Sequence, residues 1–257
     1  MSNTRHPQIR ALLLAFTFLT RIPMPTITGY QAEDSSRALY YFPLVGACMG
    51  LLLCGITTVF ASHPLLTAAL VLTIWVLMTG GLHLDGLADS SDAWLGGLGD
   101  RDRTLKIMKD PRCGTAAILS INCLMLIKFS ALVTFLQSNT LSSSTLMLLM
   151  VPLILGRCAP LVLALTTHYA NPEGLAKPFI DHAQPFAILN ALILTWLFTL
   201  LLCGFSAFMI IMFVNTLLFL VIRQLMIQRL GGYTGDTIGA TIEITEASTL
   251  MTLALIS

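Results

Sequence analysis

Long apolar runs and short polar intervals alternate along the chain. Seven runs are about 18 residues or longer, the length that an α-helix needs to cross a bilayer. An eighth, residues 9–24, is shorter and ends at Arg21-Ile22-Pro23-Met24-Pro25, which predicts an interfacial or half-inserted helix. The pattern predicts an all-α, polytopic membrane bundle, with about seven transmembrane helices in one domain over residues 1–257. The seven predicted spans are residues 38–61, 65–82, 116–137, 144–168, 186–203, 206–223 and 238–257.

Composition supports a membrane protein and excludes other classes. Apolar residues make up 56% of the chain and charged residues 11%, whereas soluble domains average about 25% charged residues. Fourteen basic residues against thirteen acidic ones leave a net charge of +1, without the basic excess of nucleic-acid-binding proteins. None of the six cysteines forms a C-x-x-C motif. We therefore expect membrane lipid as the surroundings, and no nucleic-acid partner, disulfide framework or zinc site.

The loops differ in their Lys and Arg content. The intervals at 62–64 and 137–140 and the turn near Gly204 have none, whereas the intervals 83–115, 169–185 and 224–237 contain or adjoin basic residues. The positive-inside rule therefore predicts that these longer loops are cytoplasmic. Most of the carboxylates fall in the same loops, so we also expect a cytoplasmic active site.

The segment 81–92 contains the densest chemistry. Asp85, Asp89 and Asp92 are spaced i, i+4, i+7, which places them on one face of a helix. Three carboxylates repel one another unless a cation lies among them, and oxygen ligands suit Mg²⁺ or Mn²⁺. A solvated helix end would explain one or two of these aspartates, so the pattern favours a metal site. His83 is either a ligand or general base, or a hydrogen-bonded structural residue.

Basic residues near this acidic stripe are candidates for phosphate binding. Lys109 and Arg112 precede a Gly-Thr pair that opens the next apolar run, although the positive-inside rule alone also requires basic residues there. Arg157 lies inside an apolar run, where an arginine must face a cavity or a partner. Contact with an anionic ligand and an internal salt bridge both remain open for Arg157.

A glycine-rich segment, residues 231–240, leads into the last apolar run. Asp236 and Glu243 are seven residues apart and share one helix face. Each is a candidate for binding a second metal ion or for taking a proton from a hydroxyl. The alternative is that Glu243 and Glu246 pair with Arg157 or Lys128 inside the membrane.

Taken together, these segments resemble the cobalamin (5′-phosphate) synthases, also called adenosylcobinamide-GDP ribazoletransferases. The resemblance covers nearly the whole chain, and its most specific part is GLHLDGLAD at residues 81–89. The other matching motifs, all in the family's order, lie at residues 18–25, 41–46, 108–115, 156–157 and 232–236.

The resemblance implies a reaction and a set of roles. A ribose hydroxyl of α-ribazole, or of α-ribazole 5′-phosphate, attacks the pyrophosphate of adenosylcobinamide-GDP and GMP leaves. The family uses Mg²⁺ and resides in the bacterial inner membrane; the sequence leaves the oligomeric state open. We expect the metal on Asp85, Asp89 and Asp92, and catalytic roles among His83, Asp236 and Glu243. We expect phosphate contacts from Arg21, Lys109, Arg112 and Arg157.

Two other functions fit parts of the pattern. A CDP-alcohol phosphotransferase motif also begins Asp-Gly, but it requires Asp-Gly-x-x-Ala-Arg, and here Asp89 and Ser90 stand in place of that Ala and Arg. A secondary transporter would use Arg157, Glu243 and Glu246. Transporters often contain inverted repeats, and this sequence has no such symmetry.

Overall fold

The computed structural model describes residues 6–27, 29, 31–137, 143–171 and 173–256, without the side chains of residues 143 and 144. Within these ranges the chain is helical, and its only β-type pairing is an isolated bridge between Tyr169 and Tyr233. The helices are α1 Pro7–Leu19, α2 Ala32–Leu39, α3 Phe42–Val59, α4 Pro64–Thr79, α5 Leu82–Gly97, α6 Arg101–Met108, α7 Thr115–Gln137, α8 Ser143–Met147, α9 Met150–Thr166, α10 Lys177–Ile180, α11 Pro185–Cys203, α12 Phe205–Leu230 and α13 Gly235–Ile256.

The predicted polytopic helix bundle is confirmed, with a smaller count of clear spans. In the described residues, five segments are long and apolar enough to cross a membrane: α3, α7, Thr145–Thr166, α11 and α12. The pair α4–α5 passes the same test only as one unit bent by 85°, which would make six. Helix α13 covers the seventh predicted span; it is long enough, but its polar residues make it less apolar.

Two consecutive glycines separate α4 from α5. Gly80 and Gly81 both adopt the left-handed conformation, with φ of 61° and 74°, which a residue with a Cβ adopts only at a cost. A Cβ on Gly80 would also collide with the side chain of Arg21. Because of the 85° bend, α4 and α5 form a broken span or a re-entrant loop and not one straight helix.

Helix α13 is central and packs against α5, α7, α9 and α12. Glycines allow its close crossing with α5. A Cβ on Gly86 would lie 2.6 Å from the Asp236 carbonyl oxygen, and one on Gly239 would lie 3.0 Å from the His83 carbonyl oxygen. Contacts this short between backbones need residues without side chains. The crossing therefore brings the start of α5 next to the start of α13.

A short amphipathic helix, α2, was missed in the sequence because it is polar and only eight residues long. Its start has a capping box between Gln31 and Asp34. Asp34 is fully buried and pairs with Arg10 at 3.0 Å. Helix α2 is thereby joined to α1, and its Ser36 hydroxyl donates a hydrogen bond of 3.1 Å to the Pro178 carbonyl oxygen in α10.

Candidate active site

A cavity of about 360 Å³ opens beside the crossing of α5 and α13. Its walls also include the end of α1, α2, the start of α3, the end of α6, and α10 with the loop before it. That loop is attached to the segment preceding α13: the Ala170 amide donates to the Tyr233 carbonyl oxygen at 2.7 Å, and the Tyr233 amide donates to the His168 carbonyl oxygen at 2.9 Å. The charged and polar side chains in the lining are His83, Asp85, Lys109, Asn171, Glu173 and Asp236.

Asp85 and Asp236 line this cavity, and Asp89 lies outside the lining but close enough to both to feel their charges. Burial raises the pKa of Asp89 to about 6, with smaller contributions from the negative charges of Asp85, Asp236 and Asp92. No lysine or arginine of the described chain forms an ion pair with any of the first three. Neighbouring carboxylates without a basic partner are costly to keep ionised. A cation supplied from outside the chain would stabilise them.

Asp92, the third member of the predicted metal stripe, has other contacts. Its two carboxylate oxygens accept hydrogen bonds from the backbone amides of Gly114 at 2.6 Å and Ala117 at 3.0 Å. These amides lie at the start of α7, where amide groups lack helical partners. Asp92 thus joins α5 to α7 and does not line the cavity. The structure supports a capping role, and its metal role stays a prediction without support from the geometry.

The acid group suits a Mg²⁺ ion that binds together with a phosphorylated substrate. Among the described residues, no three or more His, Cys, Asp or Glu side chains are already arranged to hold a metal ion. Mg²⁺, however, is usually bound by one or two carboxylates together with substrate phosphates and water. Asp85, Asp89 and Asp236 provide such oxygen donors. The donor set therefore fits an ion that binds jointly with a phosphorylated substrate, and does not resemble a preformed cage.

The four predicted phosphate-binding cations occupy different places. Lys109 lines the cavity at the end of α6. Arg112 has a side chain that is 87% exposed and forms an ion pair of 2.6 Å with Asp110. Hydrogen bonds from Arg112 lower the pKa of Asp110 to about 2. The Arg21 amide donates to the Met78 carbonyl oxygen at 2.7 Å. Only Lys109 among the four therefore lines the cavity.

Arg157 lies in the middle of the bundle, within a buried ion-pair network of four charges. Its side chain is fully buried and pairs with Glu246. The Lys128 ammonium contacts Glu243 at 2.6 Å and Glu246 at 2.5 Å, and it lies 4.7 Å from the centre of the Trp75 ring. For Glu243 and Arg157 this geometry favours the structural alternative over the predicted roles of base and phosphate ligand.

His83 lies between the network and the cavity. It is 3% exposed, lines the cavity, and its Nδ1 has no hydrogen-bond partner among the described residues. Sequence reasoning missed several other lining residues, notably Asn171, Glu173 and Phe179. Phe179 and Asn171 lie outside the recognised motifs, so nothing in their spacing indicated that they would reach the site.

A family model described as cobalamin-5-phosphate synthase matches residues 11–254. The chain belongs to the cobalamin-5-phosphate synthase family. Two similar relatives, both called adenosylcobinamide-GDP ribazoletransferase, come from Pseudomonas syringae pv. syringae and Acinetobacter baumannii. The first is 46% identical over 244 residues, which cover 95% of this chain and 98% of the relative. The second is 41% identical over 250 residues, covering 94% and 96%. No solved structure matches the chain.

Membership of the cobalamin-5-phosphate synthase family decides between the functions that the sequence left open. The match spans all of α2 to α12 and most of α1 and α13. It therefore includes every helix that contributes to the cavity. The lipid-forming phosphotransferase and the transporter are set aside, and the cavity beside α5 and α13 is the candidate active site of a cobalamin-5-phosphate synthase.

Proposed function

We propose that this protein is a membrane-embedded transferase that joins adenosylcobinamide-GDP to α-ribazole or α-ribazole 5′-phosphate and releases GMP. Its similarity over almost the whole chain to relatives named for this reaction supports the assignment. The structural observation that supports it most is the cavity. Acids without a basic partner, Asp85 and Asp236, lie there beside Lys109, as expected for a site that handles phosphates and a cation.

The reaction makes one bond and breaks one. A ribose hydroxyl oxygen bonds to the phosphorus next to the corrinoid, the bond from that phosphorus to the bridging oxygen breaks, and GMP leaves with the electron pair. Bound Mg²⁺ would neutralise charge on the pyrophosphate and on the leaving group. Asp85 and Asp89 are the residues that would hold it, which leaves the Asp236 carboxylate for proton transfer. Lys109 is placed to neutralise further phosphate charge from the wall of the cavity.

The attacking hydroxyl must lose its proton, and the position of each candidate base matters. A general base has to come within hydrogen-bond reach of the hydroxyl. Glu243 is engaged by Lys128 in the core, whereas Asp236 and His83 line the cavity. Asp236 is therefore our candidate for the proton acceptor. His83 lines the cavity, but its Nδ1 is buried and has no hydrogen-bond partner among the described residues, so it is the weaker candidate.

We also infer an inner-membrane location with the site facing the cytoplasm. The support is the alternation of basic and uncharged loops, together with the five to six apolar helices. A single cysteine in place of Ser62 should react with a membrane-impermeant reagent from the periplasm, and one in place of Gly99 should not. Asn139, the other predicted periplasmic position, lies outside the described residues. External labelling at residue 99 would reverse the orientation.

The decisive test is the reaction itself in purified protein, in detergent or liposomes. We expect GMP release from adenosylcobinamide-GDP that depends on both α-ribazole and Mg²⁺. Hydrolysis without α-ribazole, or release of CMP from a CDP-alcohol with no GMP release from adenosylcobinamide-GDP, would contradict the proposed function. Transfer that persists in excess EDTA would leave the transferase intact and remove the metal from the proposal.

A further inference from the structure

One part of the cavity is entirely apolar. The polar lining residues come from α5, the end of α6, the start of α13 and the loop before α10. The lining residues from α1, α2, α3 and α10 carry no polar side chain among those described. They are Phe18, Leu19, Leu39, Phe42, Phe179 and Ile180.

Three phenylalanines form the centre of this apolar wall. The ring centres of Phe18 and Phe179 are 4.4 Å apart, those of Phe42 and Phe179 are 5.7 Å apart, and those of Phe18 and Phe42 are 5.9 Å apart. Hydrogen bonds hold α10 in place, because Ser36 donates to Pro178 and accepts from the His182 amide at 3.2 Å. The wall is therefore a fixed aromatic surface rather than a loop tip. Such a surface suits a flat apolar ring system.

The size of the cavity limits what can occupy it. A volume of about 360 Å³ is at the lower end of the range of about 300–1,000 Å³ typical of small-molecule sites. A nucleoside fits such a volume. A corrinoid macrocycle that carries a nucleotide is several times larger, so most of adenosylcobinamide-GDP must remain outside.

Two aromatic bases take part in the reaction, and their polarity distinguishes them. Guanine has an exocyclic amine, a ring N–H and a carbonyl group, each of which loses free energy when it is buried without a hydrogen-bond partner. The benzimidazole of α-ribazole has no exocyclic polar group. A wall without polar side chains therefore favours the benzimidazole.

We propose that the wall formed by Phe18, Phe42 and Phe179 binds the benzimidazole base of α-ribazole and so directs the ribose toward Asp85 and Asp236. The inference depends on the proposed function, since it assigns one of its two substrates to one part of the site. It makes these phenylalanines specificity-determining residues for the nucleoside. The corrinoid substrate would then approach with its pyrophosphate from the open side.

The test is equilibrium binding of α-ribazole to the full-length protein in detergent without corrinoid, together with KM for both substrates. Phe179→Ala should weaken α-ribazole binding by about tenfold or more, the scale of one aromatic contact with a base. KM for α-ribazole should rise similarly, and KM for adenosylcobinamide-GDP should stay within about twofold. Guanosine should displace α-ribazole from the wild type poorly. Phe186→Ala is the matched control, since Phe186 is 75% exposed on α11 and outside the cavity.

The outcomes separate this inference from the proposed function. If Phe179→Ala does not fold, Phe179→Leu, which keeps apolar volume but loses the aromatic face, should still weaken binding more than the control. Displacement by guanosine equal to that by α-ribazole, or a rise in KM only for adenosylcobinamide-GDP, would show that the wall takes the other substrate. Either result leaves the transferase intact. A wild type that binds α-ribazole through Phe179 yet releases no GMP would instead contradict the proposed function alone.

Discussion

Helix α13 takes part in two groups of acidic residues that differ in one respect. At its start, Asp236 lies near Asp85 and Asp89 beside a cavity, and none of the three forms an ion pair with a lysine or arginine of the described chain. Seven residues further on, about 10 Å along the helix, Glu243 and Glu246 are buried among Lys128 and Arg157. One group is unbalanced in charge, and the other is neutral.

The difference distinguishes charged residues that neutralise one another inside the bundle from acidic residues that lack a partner within the described chain. A charge inside a membrane is costly unless a partner neutralises it, and the four core side chains satisfy this condition with two positive and two negative charges. The acids beside the cavity have no basic partner among the described residues. Stability gives no reason to gather like charges, so their arrangement is best explained by a cation or a phosphate complex that binds there.

Removing a cavity acid should produce the largest effect on activity. We expect Asp85→Asn and Asp236→Asn each to lower kcat/KM by about 10²–10⁴, the range for loss of a catalytic acid or base group. Their thermal stability in detergent should be unchanged or higher, because each removes a like-charge contact. Asp102→Asn, on an exposed position of α6, is the control. Both variants active at the wild-type rate would end the assignment of this cavity.

Core acids should behave in the opposite way. Glu243→Gln leaves Lys128 and Arg157 with one remaining carboxylate, and breaking a buried pair costs about 3–5 kcal/mol. We expect a clearly lower unfolding midpoint in denaturant titrations. Combining Glu243→Gln with Lys128→Met restores neutrality, so the double variant should be more stable than Glu243→Gln alone. A well-folded Glu243→Gln enzyme with about 10³-fold slower turnover would return Glu243 to the role of base.

The sequence predicted that Asp85 and Asp89 belong together, but for Glu243 it left a catalytic role and a pairing with Arg157 or Lys128 both open. Lys128 and Glu243 are 115 positions apart, and helical periodicity relates only residues on one helix. The transmembrane spans could be predicted because the length of an apolar run is a local property of the sequence. Helix α2 was missed because it is short and polar, whereas the bend at Gly80 and Gly81 and the approach of Phe179 to the cavity depend on how the helices pack, which local patterns do not reveal.

A substitution at Asp92 tests whether this residue belongs with the acids beside the cavity. Since its carboxylate caps α7 through Gly114 and Ala117, we expect Asp92→Ala to lose about 1 kcal/mol of stability, typical of a lost helix cap. The Mg²⁺ concentration that gives half-maximal activity should be nearly unchanged. A large increase in that concentration at wild-type stability would place Asp92 with the metal ligands after all.

The smallest effect should come from a surface cation that already has a partner. Arg112 pairs with Asp110, whose carboxyl pKa is lowered to about 2 from a usual value of 3.8. A lowered carboxyl pKa means that Asp110 stays ionised until the pH falls toward 2, so Arg112 faces a charged partner at any pH near neutral. Lys109, which lines the cavity, forms no ion pair in the described residues.

We therefore expect Lys109→Gln to raise KM for adenosylcobinamide-GDP by about tenfold, the scale of one charge-assisted hydrogen bond. Arg112→Gln should change it by less than about twofold, without pH dependence between about pH 6 and 8. The reverse order of effects would mean that Arg112 leaves Asp110 when substrate binds and then contacts the substrate itself.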